Sequence, residues 1–260
     1  MKRFEYIMPH RRRPFPEGHF SRAAYLASLC PGMHIYDEYE PVLGPWAALV
    51  LDTYEAGMSV PAQAEADWWA PRGVPLVSVS RTLDGDPAQE RDDWALQVKV
   101  GPYEDSPGLD VGPLVAVSDA PAAGSDLLLV VSRWREGRFW LRDAARVLGD
   151  AALAVTHTPM PCPYVEGYAP DWIAGSEVVI GGAGGGNLYE TLWAGKRLVA
   201  KAFCSEQKKR LDAAVAAGEA IVEVEAVEEI PDAVERVRAM IPIGRRQTGG
   251  GEFARLMGSL

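Results

Sequence analysis

The sequence predicts an α/β protein made of two Rossmann-like, doubly wound halves, the first of them compact. Three observations carry this. Short apolar, β-branched runs such as 48–52, 127–132 and 178–180 alternate with longer stretches of helical spacing along the 260 residues. Strands separated by helices need crossover connections, and these make parallel sheets with helices on both faces. A segment rich in Pro, Gly and Asp over 103–124 reads as the connection between the halves, placing them at 1–118 and 119–260. Finally, the strand at 178–180 runs into five glycines, Gly181, Gly182, Gly184, Gly185 and Gly186, and straight on into a helix.

In chain order, the first half predicts a strand at 4–8, a helix over 21–29, strands at 48–52 and 76–79, and a strand at 96–100. Pro71 and Gly73 stop a helix that ends in Trp68-Trp69. The second half predicts a strand at 127–132, a helix over 139–148, and strands at 152–156 and 178–180. A helix over 187–194, a strand at 198–202, a helix over 206–217, a strand at 220–224 and a helix over 231–240 follow. Residues 242–251 read as a loop, leading to an amphipathic tail at 253–260 that packs back on the first half.

Composition excludes several classes. Lys and Arg number 26 against 36 Asp and Glu, a net charge of −10, and 48% of the residues are apolar. An acidic body of this kind argues against a nucleic-acid binder, whose affinity comes mostly from cation–phosphate contacts. No window has the ~18 uninterrupted apolar residues of a membrane span. No apolar stretch of a secretory leader follows the charged start, so the expected location is the cytoplasm. Three widely spaced cysteines, Cys30, Cys162 and Cys204, make neither a disulfide framework nor a metal knuckle. The charge is unevenly placed: residues 1–22 hold six bases and two acids, whereas 37–110 hold fifteen acids and four bases. Arg11-Arg12-Arg13 has two readings, a solvated loop or a peripheral contact with phosphate or anionic lipid head groups.

The glycine run is the most informative segment. Glycine permits positive φ and lets a ligand approach the backbone, while a helix start offers unpaired N–H groups and the positive end of a dipole. Phosphate or diphosphate is the natural occupant. Two familiar phosphate loops fail on spacing: no register of 181–189 supplies GxGxxG, and Gly195-Lys196 has Glu190 where a P-loop needs its first glycine and Arg197 at its last position. Glu190 sits three residues after Asn187, where the dipole favours a carboxylate that also suits two ribose hydroxyls.

The strand, GGAGGGN, LYETLWAGKRLV and then Ser205-Glu206-Gln207-Lys208-Lys209 resemble the carboxyl-terminal half of the GT-B glycosyltransferases. The likeness is to the branch with the lipid II-forming N-acetylglucosaminyltransferase and the UDP-sugar hydrolase of pseudaminic acid synthesis, and it covers about residues 125–225. It implies that Gly182, Gly184, Gly185, Gly186 and Asn187 receive the diphosphate of a UDP-sugar, that Glu190 holds the ribose, and that Glu206 and Gln207 reach the sugar or donor phosphates. Ser132, with Arg133 and Arg135 nearby, falls where relatives present a donor-contacting loop. The Gly18-His19 pair, with Arg22 after it, matches the Gly-His turn of the acceptor-side domain and makes His19 the candidate base. The loop before it, Arg13-Pro14-Phe15-Pro16-Glu17, departs from the family by being bulkier.

The function the resemblance implies is a metal-independent inverting glycosyltransferase with no cofactor beyond its nucleotide sugar and an acceptor that the sequence does not identify. A UDP-sugar hydrolase, or a non-catalytic sugar-nucleotide-binding subunit, is the alternative. Asp52 has two readings, a turn former at a strand end or a second carboxylate at the cleft. His10, His34 and His157 lack partners at ligand spacing, and Asp84-Gly85-Asp86 reads as a hydrophilic turn, so no metal site is expected.

Overall fold

The structure is a computed structural model describing residues 2–7, 17–35, 46–52, 60–80, 91–106, 108–119, 124–130, 135–167 and 169–260, with backbone alone at 7, 17–20, 60–63, 80 and 135. The chain divides into two compact units, Met1–Val115 with Thr248–Leu260, and Ala116–Gln247.

In the first unit, β1 (Phe4–Ile7), β2 (Met33–Ile35), β3 (Ala48–Asp52), β4 (Leu76–Ser80) and β5 (Trp94–Lys99) form one sheet in the order β2-β1-β3-β4-β5. All the pairings are parallel. All five residues of β3 are buried, as a strand covered on both faces requires. β2 is absent from the expected elements, because three residues are too few to show a period. The helix α1 (Glu17–Leu29) starts four residues earlier than its apolar spacing suggests. Gly18-His19 therefore lies in the first helical turn rather than in a turn before it. α2 (Val60–Trp69) ends in a short 3₁₀ turn that Gly73 closes with φ 79°. The 103–124 segment is not all connection: the Leu109 and Leu114 N–H groups bond to β5 and to Val100, and Leu114 and Val115 are buried.

The second unit holds β6 (Leu127–Val130), β7 (Ala152–Val155), β8 (Tyr164–Val165), β9 (Val178–Gly182), β10 (Arg197–Lys201) and β11 (Ile221–Glu223). Their order is β11-β10-β9-β6-β7-β8, again with parallel pairing. Counted from β6, this is 3-2-1-4-5-6, the order of a dinucleotide-binding sheet. The chain builds outward from β6 through β7 to β8, then returns and builds the other way from β9. The switch in direction falls between β6 and β9, and the carboxyl end of a sheet at such a point is where open α/β folds hold ligands.

The helices α3 (Arg135–Leu148), α4 (Ala169–Gly175), α5 (Gly185–Trp193) and α6 (Ser205–Ala216) connect these strands, and α7 (Ile230–Arg238) follows the last of them. α3 buries Trp140, Leu141, Ala144 and Ala145, one face at helical spacing. They join Leu129, Ile180, Val199, Val234 and Val237 in one core. Each large aliphatic side chain sealed there contributes roughly 1.5–3 kcal/mol.

The tail belongs to the first unit. The expected loop over 242–251 holds as far as residue 249, where the tail helix, α8 (Gly250–Ser259), begins, and α8 packs on α1. Its glycines mark a close approach: a Cβ on Gly250 would stand 2.5 Å from both the Tyr25 hydroxyl and Leu29 Cδ1, and one on Gly249 would stand 2.4 Å from the Gly112 carbonyl oxygen.

Candidate functional site

The glycine run lies at the switch point. Gly181 and Gly182 are the last residues of β9 and pair with Val130 of β6 and Lys201 of β10, respectively. Gly184 precedes α5 in extended conformation (φ −61°, ψ 145°), and no side chain caps the helix. The first intrahelical bond in the turn is donated by Leu188 N–H to the Gly184 carbonyl at 3.0 Å. The N–H groups of Gly185, Gly186 and Asn187 therefore have no intrahelical acceptor, as in any first turn. A Cβ on Gly184 would meet nothing within 4 Å.

None of these five glycines has positive φ, which corrects one of the two reasons for expecting them there. Close approach is the reason the structure supports. A Cβ on Gly181 would lie 2.4 Å from Asn187 Nδ2, and one on Gly182 would lie 3.0 Å from the Phe203 ring. Asn187 donates Nδ2–H to the Gly182 carbonyl at 2.8 Å, tying helix start to strand end, while its Oδ1 is buried with no hydrogen-bond partner among the described residues.

Glu190 is half-buried on α5, and Leu188, Tyr189, Thr191, Leu192 and Trp193 are buried beside it. The far end of α5 is locked. Gly195 takes φ 72°, the Lys196 N–H reaches the Thr191 carbonyl, and the Gly195 N–H reaches that of Leu192, a six-to-one, five-to-two closure. Arg246 lies over the Trp193 ring at 3.7 Å and donates to Glu219 at 2.7 Å. The helix is thus fixed behind its open end.

The loop after β10 leads into α6. Gln207 Oε1 accepts the Phe203 N–H at 3.0 Å, fixing that loop. Glu206, a carboxylate assigned to the donor by the resemblance, is turned inward, and it is Arg210 that engages it there. Arg210 is itself buried and donates Nη1–H to the Ala183 carbonyl at 3.4 Å. Sequence reasoning missed Arg210. The available signal was the i, i+4 spacing from Glu206, which the neighbouring exposed pair Lys208–Asp212 shares.

In the first unit, His19 occupies the first turn of α1 and Arg22 the next. Asp52, at the end of β3, is neither an exposed turn former nor a free carboxylate: it is buried beneath Arg22, whose Nη2 stands 2.7 Å from each of its oxygens, and it accepts the Tyr6 hydroxyl at 2.6 Å. Burial and then the Asp52 charge hold the Tyr6 phenol well above its ordinary range. Burial pulls the Arg22 guanidinium down, but the charges and hydrogen bonds of Asp52 and Tyr6 outweigh it and raise it.

Ser132, Arg133, Arg11-Arg12-Arg13, His10 and Asp84-Gly85-Asp86 lie outside the described residues, as do the side chains of His19 and Arg135. Among the described residues, no group of three or more His, Cys, Asp or Glu is placed to hold a metal ion. No described helix is long and apolar enough to cross a membrane. A polar cavity of about 490 Å³, lined by Ser125, Asp126, Glu177, Lys196 and Arg197, opens where β6, β9 and β10 begin, at the opposite end of the sheet from the glycine turn.

No protein-family model and no curated protein sequence matches this chain. Solved structures do. The Streptomyces sp. SF2575 glycosyltransferase SsfS6, complexed with thymidine diphosphate, superposes with a TM-score of 0.61 at 14% identity, over 99% of this chain and 100% of that one. The spinosyn rhamnosyltransferase SpnG, also complexed with thymidine diphosphate, gives 0.59 at 14% identity over 99% and 95%. Acinetobacter baumannii MurG gives 0.60 at 12% identity over 100% of both chains. At these identities the likeness establishes the fold: two Rossmann-like α/β units of the GT-B type.

Proposed function

We propose that this chain transfers a sugar from a nucleoside diphosphate donor as an inverting glycosyltransferase. One observation carries the reading: the start of α5 is uncapped, lined by small residues, and set at the carboxyl end of β9 where strand order reverses. Backbone amides and the helix dipole there stabilise a diphosphate as its charge grows in the transition state. That supply of positive potential is the reason to propose transfer without a metal.

In this reading the diphosphate rests on Gly182 and Gly184–Asn187, the ribose hydroxyls on Glu190, and the sugar toward Gln207, with Ser132 contributing from the loop after β6. The acceptor hydroxyl attacks the anomeric carbon, the bond from that carbon to the diphosphate oxygen breaks, and the acceptor proton passes to the imidazole of His19. An unperturbed imidazole titrates near ~6.5, which suits this transfer. The sequence resemblance favours uridine in the donor, while two of the structural neighbours were solved with thymidine diphosphate.

Calorimetric titration with UDP and with TDP tests the reading. One of them should bind, and Glu190→Ala should weaken that binding at least tenfold, about 1.4 kcal/mol. Binding of neither overturns it. Turnover of the matching nucleotide sugar with water alone, and no gain on adding acceptors, would replace transfer with hydrolysis.

A further inference from the structure

Ala183 is pinned at both of its backbone polar groups. Its N–H donates to the Lys201 carbonyl of β10 at 2.9 Å, and its carbonyl accepts Arg210 Nη1–H at 3.4 Å from beneath. The planar trans peptide links that carbonyl rigidly to the next N–H, which points the opposite way. Drawing the Ala183 carbonyl toward the buried guanidinium therefore turns the Gly184 N–H away from it, onto the side where Gly184 has nothing within 4 Å of a Cβ position. Arg210 is 1% exposed and Glu206 8% exposed, and the two form an ion pair one helical turn apart on α6.

From this we infer that Arg210 is a positioning residue for the diphosphate and that Glu206 acts by holding Arg210 rather than by touching the donor. The inference rests on the donor reading above and deepens it. A planar guanidinium donates in two directions at once, one fork to the Glu206 carboxylate and one to the Ala183 carbonyl; an ammonium in its place is a point charge without that geometry. The carboxylate compensates the buried cation, so the seat presents outward-facing amides with the Arg210 charge held beneath them.

The test compares affinities for the diphosphate and for its nucleoside: UDP against uridine, or TDP against thymidine if TDP is the one that binds. Arg210→Met should lower diphosphate affinity at least tenfold while changing nucleoside affinity less than threefold. Arg210→Lys should fall between Arg210→Met and the wild type. A protein merely damaged in its fold would lose both ligands together. An unchanged diphosphate-to-nucleoside ratio in a folded variant overturns the inference and leaves the donor reading standing. Absence of binding by the wild-type protein removes both. Should neither variant fold, the wild type decides. In its amide proton–nitrogen spectrum the Gly184 resonance must move when the diphosphate saturates the protein and stay in place with the nucleoside; a Gly184 resonance that ignores the diphosphate overturns the inference.

Discussion

Arg22 Nη2 lies 2.7 Å from both carboxylate oxygens of Asp52, and neither side chain reaches solvent. Two charges sealed together in this way balance each other, but removing one leaves the other buried without compensation. Asp52→Ala should therefore destabilise the protein by about 3–5 kcal/mol, whereas the double substitution Arg22→Met with Asp52→Leu should recover most of that loss. Denaturant unfolding of the single and double variants measures both. Equal destabilisation by the single and the double substitution would show that packing, not charge, carries the contribution. Because Arg22 follows His19 by one turn of α1, this pair also fixes the helix on which the candidate base stands.

Gly181 and Gly184 should respond differently to the same methyl group, the first mainly in stability and the second mainly in nucleotide binding. At Gly181 the added carbon meets Asn187 Nδ2 at 2.4 Å and the Val130 carbonyl at 3.3 Å, so Gly181→Ala should cost stability, about 1–3 kcal/mol. At Gly184 it meets nothing, and loss of the preferred glycine before the helix costs only about 1 kcal/mol. On the donor reading, however, that methyl stands where the diphosphate rests, and Gly184→Ala should weaken nucleotide binding at least tenfold. Thermal unfolding and nucleotide titration of the two variants separate the effects.

The sheets were legible in the sequence because parallel strands covered on both faces appear as unbroken apolar runs: 48–51, 127–130 and 178–180 are all of this kind. The edges were not. β2 has three residues and β8 two, and neither length can display a period. The glycine turn was legible in place but not wholly in cause, since the backbone there uses ordinary negative φ and glycine serves close packing and open space. Arg210 and Asp52 were hidden for one reason: a charged residue reads as exposed until its partner is known. Glu206 lies four residues from Arg210, but Asp52 and Arg22 are thirty residues apart and meet only through the fold.

Cys30 offers a pH-dependent prediction. The residue is 3% exposed, and burial pushes its thiol up to about 11. The folded protein therefore favours the neutral thiol. The resulting stability is fully present below the ordinary thiol range near ~8.5 and is lost as the pH rises through that range toward the folded value, by on the order of 2 kcal/mol. Between pH 8 and 11 the wild type should lose stability more steeply than Cys30→Ala, as denaturant midpoints will measure. Parallel loss in both proteins would assign the alkaline effect to other groups.

The Gly249-Gly250-Gly251 run gives a last prediction in which the intuitive expectation for a glycine loop fails. Glycine inside a helix costs about 0.5–1 kcal/mol relative to alanine, so replacing one is ordinarily stabilising. Gly251 should behave this way: it lies in α8, its side is exposed, and a Cβ there meets nothing within 4 Å. Gly251→Ala should raise the melting temperature. Gly250, one residue earlier in the same helix, faces α1, where a Cβ would stand 2.5 Å from the Tyr25 hydroxyl and from Leu29 Cδ1. That hydroxyl is already engaged with Thr248, so it has no room to withdraw without breaking the contact that brings the tail onto α1. Gly250→Ala should therefore lower stability by about 1–3 kcal/mol, with the loss felt in the first unit, and amide exchange should accelerate along α8. If both substitutions stabilise the protein equally, the close seating of α8 on α1 is wrong, and the glycines there serve the chain only as a hinge.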